Sequence, residues 1–156
     1  MNPGLFVCYN GFGDSMERIE KQLKFILEID KEKQIKRKTL QSNGTDFEDD
    51  AQHAWHMAIM TLLLSEHANE EIDVLKTISM LLIHDLVEID AGDTYAYDSQ
   101  GLKTQSTREA MAANRIFNLL PEDQAKKMFD LWNEFEERKT PEAKFARVMD
   151  NFQPVM

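Results

Sequence analysis

Residues 79–90, SMLLIHDLVEID, decide how this chain is read. Ile72, Leu75, Ile78 and Leu82 recur at intervals of three and four, which predicts a buried helix from about Glu71 to Ile89. It should end near Gly92, a residue suited to a left-handed cap. His84 and Asp85 interrupt the apolar run where a helix should be greasy. An ionised carboxylate buried without a partner costs several kcal/mol or more, so something must compensate for Asp85.

The same helical period extends outward in both directions. Toward the N-terminus, Trp55, Ala58, Ile59 and Leu62 predict an inward face on a helix from about Glu48 to His67. Before it come the turn residues QSNGTD and the basic patch Lys36, Arg37 and Lys38. Ile19, Leu23 and Ile26 form another stripe. Residues 1–15, with three glycines and a proline, show no period and read as a tail, leaving residues 16–156 as the domain and Met16 as a candidate start.

Toward the C-terminus, residues 94–103 read as a loop, and Ser106 with Glu109 forms a capping box for a helix reaching about Leu120. Pro121, Glu122 and Asp123 start the next helix, with Met128, Leu131, Trp132 and Phe135 facing inward. Thr140-Pro141-Glu142 starts the last, which should bury Phe145, Val148, Met149 and Phe152. Met57, Met60, Met80, Trp55 and Trp132 are expected as core fillers. No strand alternation or internal repeat is evident, so the expected class is all-α, a compact bundle of about five to seven helices.

The 156 residues, 42% of them hydrophobic, suit one domain. Twenty-eight acidic against eighteen basic side chains give a net charge of −10, which repels a phosphate backbone and argues against general nucleic-acid binding. A small anionic substrate stays compatible, because a bound cation can reverse the field locally. The lone Cys8 can form neither an internal disulfide nor a cysteine cluster, and no apolar run approaches the roughly 20 residues that span a bilayer. A cytoplasmic location without membrane association is expected.

A metal ion would compensate the buried polar pair, since imidazole nitrogen and carboxylate oxygen are both suitable ligands. Glu88 lies one turn after His84, and Asp93 follows in the cap region, so two further carboxylates could assist a water nucleophile and a leaving group. His53 and His56 in DDAQHAWH are both candidate imidazoles, and spacing does not choose between them. Asp150, beside the apolar Val148 and Met149, is another candidate ligand. A His-Asp pair alone is weak evidence, because a buried polar pair can satisfy itself.

Taken in order, His53, His84-Asp85 and Asp150 resemble the H…HD…D signature of the HD-domain phosphohydrolase superfamily. The words DAQHAWH, LLIHDLVEIDAGDT, LLPEDQ, LWNEFE and TPEAKFARVMDNFQP resemble its branch containing bacterial 5′-deoxyribonucleotidases, over about residues 17–156. The resemblance implies an HD-type bundle in which His53, His84, Asp85 and Asp150 bind one divalent metal, with Mn, Co, Mg, Zn, Fe and Ni not distinguished. It places Glu88 and Asp93 at the catalytic centre. The implied reaction is hydrolysis of the phosphate monoester of a (deoxy)nucleoside 5′-monophosphate by metal-activated water. Arg37, with Lys38, is the candidate phosphate grip, since a guanidinium can make two parallel hydrogen bonds to it. A homodimer is the family expectation.

The chain departs from the family pattern at Gln52, where relatives usually carry Glu, and at Asp46 and Phe47, where they carry basic residues. The first is expected to alter tuning of His53, the second to weaken nucleotide binding or shift substrate choice. Relatives also commonly extend beyond the final motif, whereas six residues follow Asp150, so a C-terminal helix is expected to be missing. The competing reading is a catalytically weak metal- or nucleotide-binding interaction module. A two-iron oxidase would need further ligands, for which His56 and His67 are poorly spaced.

Overall fold

The structure is a computed structural model that describes residues 12–92 and 101–156. Helix α1 (Phe12–Ile29) leads through a 3-10 turn (Asp30–Gln34) into a hairpin of β1 (Lys36–Leu40) and β2 (Phe47–Asp49). Helices α2 (Asp50–Leu64), α3 (Val74–Ile83), α4 (Glu88–Ala91), α5 (Gly101–Phe117), α6 (Glu122–Glu137) and α7 (Pro141–Phe152) follow. The expected all-α bundle is what forms. Helix α1 begins at Phe12, inside the segment expected as tail, and residues 1–11 lie outside those described.

The hairpin is a correction to the expectation of no strand. Its strands pair antiparallel with Lys36 opposite Asp49 and Leu40 opposite Phe47. It escapes pattern reading because KRKTL buries no apolar row; its in-and-out alternation is carried by Arg37 and Thr39 among Lys36, Lys38 and Leu40. Asn43 builds the connection, its Oδ1 accepting from the backbone N–H groups of Thr45 and Asp46.

Helix starts follow local chemistry. Asp49 caps α2 by accepting from Gln52 N, while Gln52 Oε1 accepts in return from Asp49 N, a reciprocal capping box. Asp73 caps α3, and Thr140 caps α7 with Pro141 in the first turn. Ser106 caps nothing, because α5 already runs from Gly101; its expected capping box is overturned. The helix expected to run from Glu71 to Ile89 is broken in two: α3 ends at Ile83, and a tighter 3-10 turn (His84–Val87) precedes α4. Gly92 has φ 73° as a cap glycine should, but its ψ of 151° is extended, a region open essentially to glycine alone.

Several expected inward faces point outward. Trp55 and Leu62 on α2, Leu75 on α3, Leu23 and Ile26 on α1, and Val148 on α7 are each at least half exposed, and Ile59, Leu82 and Phe152 are also exposed. On α2 the buried set is Asp50, His53, Ala54, Met57, Met60 and Thr61. On α3 it is Thr77, Met80, Leu81 and Ile83. On α2 and α3 the period misleads because the helix is apolar around most of its circumference, so spacing identifies a helix without selecting its buried side. Trp132, Phe135 and Met149 do bury as expected.

Two apolar clusters result. One gathers Phe25, Ile83, Leu86, Val87, Ile116, Phe117 and Trp132; the other gathers Met57, Met60, Met80, Leu81, Phe135 and Met149. Leu81 belongs to the second cluster, whereas Ile83 and Leu86 belong to the first, so the chain crosses between them just before His84.

Candidate metal centre

The His84–Val87 turn buries both members of the polar pair, 4% exposed at His84 and 9% at Asp85. His84 stands against the Phe135 ring, centroids 4.6 Å apart. Its Nδ1 lies 3.0 Å from the carbonyl oxygen of Leu81, which can only accept, so Nδ1 carries the proton. Nε2 then offers a lone pair, and it is a buried nitrogen without a hydrogen-bond partner in the described residues. Such an atom needs an explanation.

His53, fully buried on α2, aims Nε2 at the same place. That nitrogen lies 3.1 Å from Asp150 Oδ1, and His84 Nε2 lies 3.8 Å from the same oxygen. Ligand atoms of His53, His84 and Asp150 all fall within 4.8 Å of one another. Asp85 adjoins this trio: Oδ1 is 3.1 Å from His84 Nε2, while Oδ2 accepts from Arg37 Nη1 at 2.7 Å. Two imidazoles and clustered carboxylates around an orphaned nitrogen fit a divalent cation. His56 does not join them; its Nδ1 is 3.0 Å from Gln153 Nε2.

The electrostatics agree. Burial opposes charge on His53, but hydrogen bonds to Asp150 and Glu48 outweigh it and raise its pKa to about 9. Burial likewise disfavours charge on His84, and Asp85 and Asp150 overcome it, so that group is also raised. Burial would push Asp150 up, yet the two imidazoles and Arg147 hold it far below the usual carboxylate range. All three shifts have one cause, positive and negative groups crowded together out of water.

Sequence reading missed a second layer of acids. Asp50 is fully buried and accepts from Arg37 Nη1 at 3.2 Å. Burial and neighbouring Asp85 push it well above the ordinary range despite Arg37. Glu32 is pushed up to about 7 by burial and by Asp85 and Asp50. Acids at the start of a helix ordinarily read as solvated charges near its positive end, which conceals Asp50. Arg37 thus bridges Asp85 and Asp50 from β1, more than the free phosphate grip expected of it.

A cavity of about 460 Å³ opens over the centre, lined in part by Arg37, Lys38, Glu88, Arg147 and Asp150. Lys38 is exposed, and Glu88 is buried in the first turn of α4. Arg147, also missed, donates to Asp150 Oδ2 at 2.8 Å and lies over Phe135. Asp93 lies outside the described residues. Asp46 and Phe47 do not line the cavity, and Gln52 is occupied by its cap and by Gln41, so the residue facing His53 Nδ1 is Gln153 instead.

These features define a class: a helical bundle with a buried centre of imidazole and carboxylate donors brought from three separated stretches of chain. The HD domain family matches residues 29–156, and the chain belongs to that family. It is 31% identical over 105 residues to the 5′-deoxynucleotidase HDDC2 of Bos taurus, covering 67% of this chain and 49% of the relative. To the 5′-deoxynucleotidase HDDC2 of Dictyostelium discoideum it is 32% identical over 140 residues, covering 86% and 74%. The chain spans about half the length of the mammalian relatives. A predicted metal-dependent phosphohydrolase from Magnetospirillum magnetotacticum MS-1, known from its crystal structure, superposes with a TM-score of 0.85 at 46% identity, covering 90% of this chain and 70% of that one. A conserved hypothetical protein from Pyrococcus furiosus superposes at 0.67 with 27% identity, covering 83% and 73%.

Proposed function

We propose that this chain is a metal-dependent phosphomonoesterase acting on (deoxy)nucleoside 5′-monophosphates. The observation that carries the reading is the convergence of His53, His84 and Asp150, with a buried imidazole nitrogen that makes no hydrogen bond among the described residues, beside an open cavity that His84 and Asp150 line. The deoxynucleotidase names of its relatives supply the substrate class.

In this reading His53, His84, Asp85 and Asp150 hold one divalent ion. When bound, that ion supplies Lewis acidity that offsets charge on the phosphoryl oxygens and makes water nucleophilic near neutral pH. Glu88, buried at the cavity wall, accepts a proton from the attacking water, and Asp93 delivers one to the departing sugar oxygen. Arg37 orients Asp85 through its Nη1 contact, and its Nε, which has no partner among the described residues, remains as a donor. Lys38, exposed on the same strand, takes the larger share of the phosphate charge.

The domain is taken as residues 16–156, and a nucleotide substrate and the single cysteine suit the cytoplasm. Among the described residues no helix is long and apolar enough to cross a membrane. A homodimer is proposed on the outer face of α2, where Trp55, Leu62 and Leu63 are 64%, 57% and 68% exposed.

The test is phosphate release from a panel of nucleoside and deoxynucleoside 5′-monophosphates with Mn(II), Co(II), Mg(II) or chelator. We expect metal-stimulated release that falls by about 100-fold or more in Asp85→Asn, given the typical weight of a metal-site group. Equal release with chelator, or none on any substrate, would overturn the reading.

A further inference from the structure

We infer that Gln153 is a positioning residue for the metal centre: it fixes the His53 imidazole with Nε2 presented to the cation, and Glu48 sets the orientation of Gln153. The inference rests on the metal-binding reading of His53 and adds a partner to it.

Gln153 follows α7 in a short 3-10 turn and is 7% exposed. Its side chain lies among three polar groups: His53 Nδ1 2.7 Å from Oε1, Glu48 Oε1 2.7 Å from Nε2, and His56 Nδ1 3.0 Å from Nε2. The amide could be placed either way round, but an ionised carboxylate only accepts. Glu48 Oε2 also lies 3.5 Å from His53 Nδ1, so this carboxylate faces a donor on either side. Glu48 therefore takes the amide nitrogen, and the amide oxygen must face His53.

That oxygen only accepts, so His53 Nδ1 keeps its proton, and Nε2 is the nitrogen left to bind a cation beside Asp150. His56 receives the second N–H of the amide, which accounts for its position beside the centre without membership in it. One side chain thus links the end of α7, β2 and two turns of α2. Turning the ring or shifting its proton would leave a buried group unpaired.

The experiment measures Mn(II), Co(II) and Zn(II) affinity by calorimetry, with the unfolding midpoint of each metal-free protein as a control. The proteins compared are wild type, Gln153→Leu, Gln153→Glu, and the double variant Gln153→Glu with Glu48→Gln. Loss of an outer hydrogen-bond partner typically costs 10–100-fold in metal affinity, and that loss is expected for Gln153→Leu. Gln153→Glu should also bind weakly, because two carboxylates then face each other.

The double variant exchanges donor and acceptor while conserving charge: the carboxylate now at position 153 accepts from His53, and the amide now at position 48 donates to that carboxylate. Its affinity should return to within about threefold of wild type, a recovery that packing alone would not produce. Gln153→Leu that is folded and binds as tightly as wild type, or a double variant no better than its single parents, would overturn the inference. Should Gln153→Leu fail to fold, the exchange pair still decides. A wild-type protein that binds none of the three metals would overturn the reading of the centre and the inference together, an outcome distinct from the other two.

Discussion

His53 titrates near pH 9 in the metal-free fold, against about 6.5 for an unfolded histidine. A folded-state value above the unfolded one means that protonation of His53 stabilises the fold fully below about pH 6.5, and that this contribution is lost as pH rises through about 9. A divalent cation must displace the proton on Nε2, so its apparent affinity climbs over the same window, by up to about tenfold per pH unit for one proton. The gain in thermal midpoint on adding Mn(II) should therefore be small at pH 6 and grow steadily toward pH 8.5. A gain that is the same throughout would show that His53 carries no competing proton. His84 and Asp150 were legible in sequence because histidine and acid stand out beside apolar residues, whereas spacing left His53 and His56 undecided. Asp50, Glu32 and Gln153 were not, because nothing local distinguishes a buried acid or amide from a solvated one. Asp50 is held by Arg37 from β1, and Gln153 lies in the turn that follows α7.

At the level of elements, α2 depends on its first turn, where Asp49 and Gln52 exchange hydrogen bonds at 2.9 and 3.1 Å. His53 comes directly after Gln52, so the cap also sets where His53 begins its turn. Asp49→Ala should cost about 1 kcal/mol in urea unfolding, the usual value of a side-chain cap. Gln52→Glu introduces the residue expected from the family resemblance and preserves the capping acceptor; it should change stability by less than about 0.5 kcal/mol and leave metal affinity unaltered. A marked gain in metal affinity would instead mean that residue 52 tunes His53 directly. The departure at Gln52 was legible, but its role was misassigned, since sequence adjacency to a ligand is not contact with it. The break after Ile83 was illegible for a related reason: an apolar run looks continuous whether its turns are α or 3-10.

Across the whole molecule, apolar surface is unevenly covered. Trp55, Ile59, Leu62 and Leu63 repeat at helical spacing on α2, and all four are exposed. The dimer proposed on this face predicts that light scattering will give twice the chain mass for wild type. Trp55→Ser with Leu63→Ser should shift it to a monomer while metal affinity stays within about twofold, since neither side chain reaches the centre. A wild-type monomer at micromolar concentration would exclude that assembly. The two apolar clusters supply the burial that lets a small domain tolerate so much buried charge.

Residue order alone specified the helical class, most of the helix starts, and the identity of the groups able to bind a cation. These follow from local rules: backbone period, capping side chains and ligand chemistry act over a few residues. Which face of each helix turned inward, which histidine of the two on α2 entered the centre, and which acids lost their water depended on how distant segments packed. Burial and hydrogen-bond partnership are properties of neighbours in space. Thus Trp55 and His53, two residues apart on one helix, came to lie in solvent and at the site, respectively.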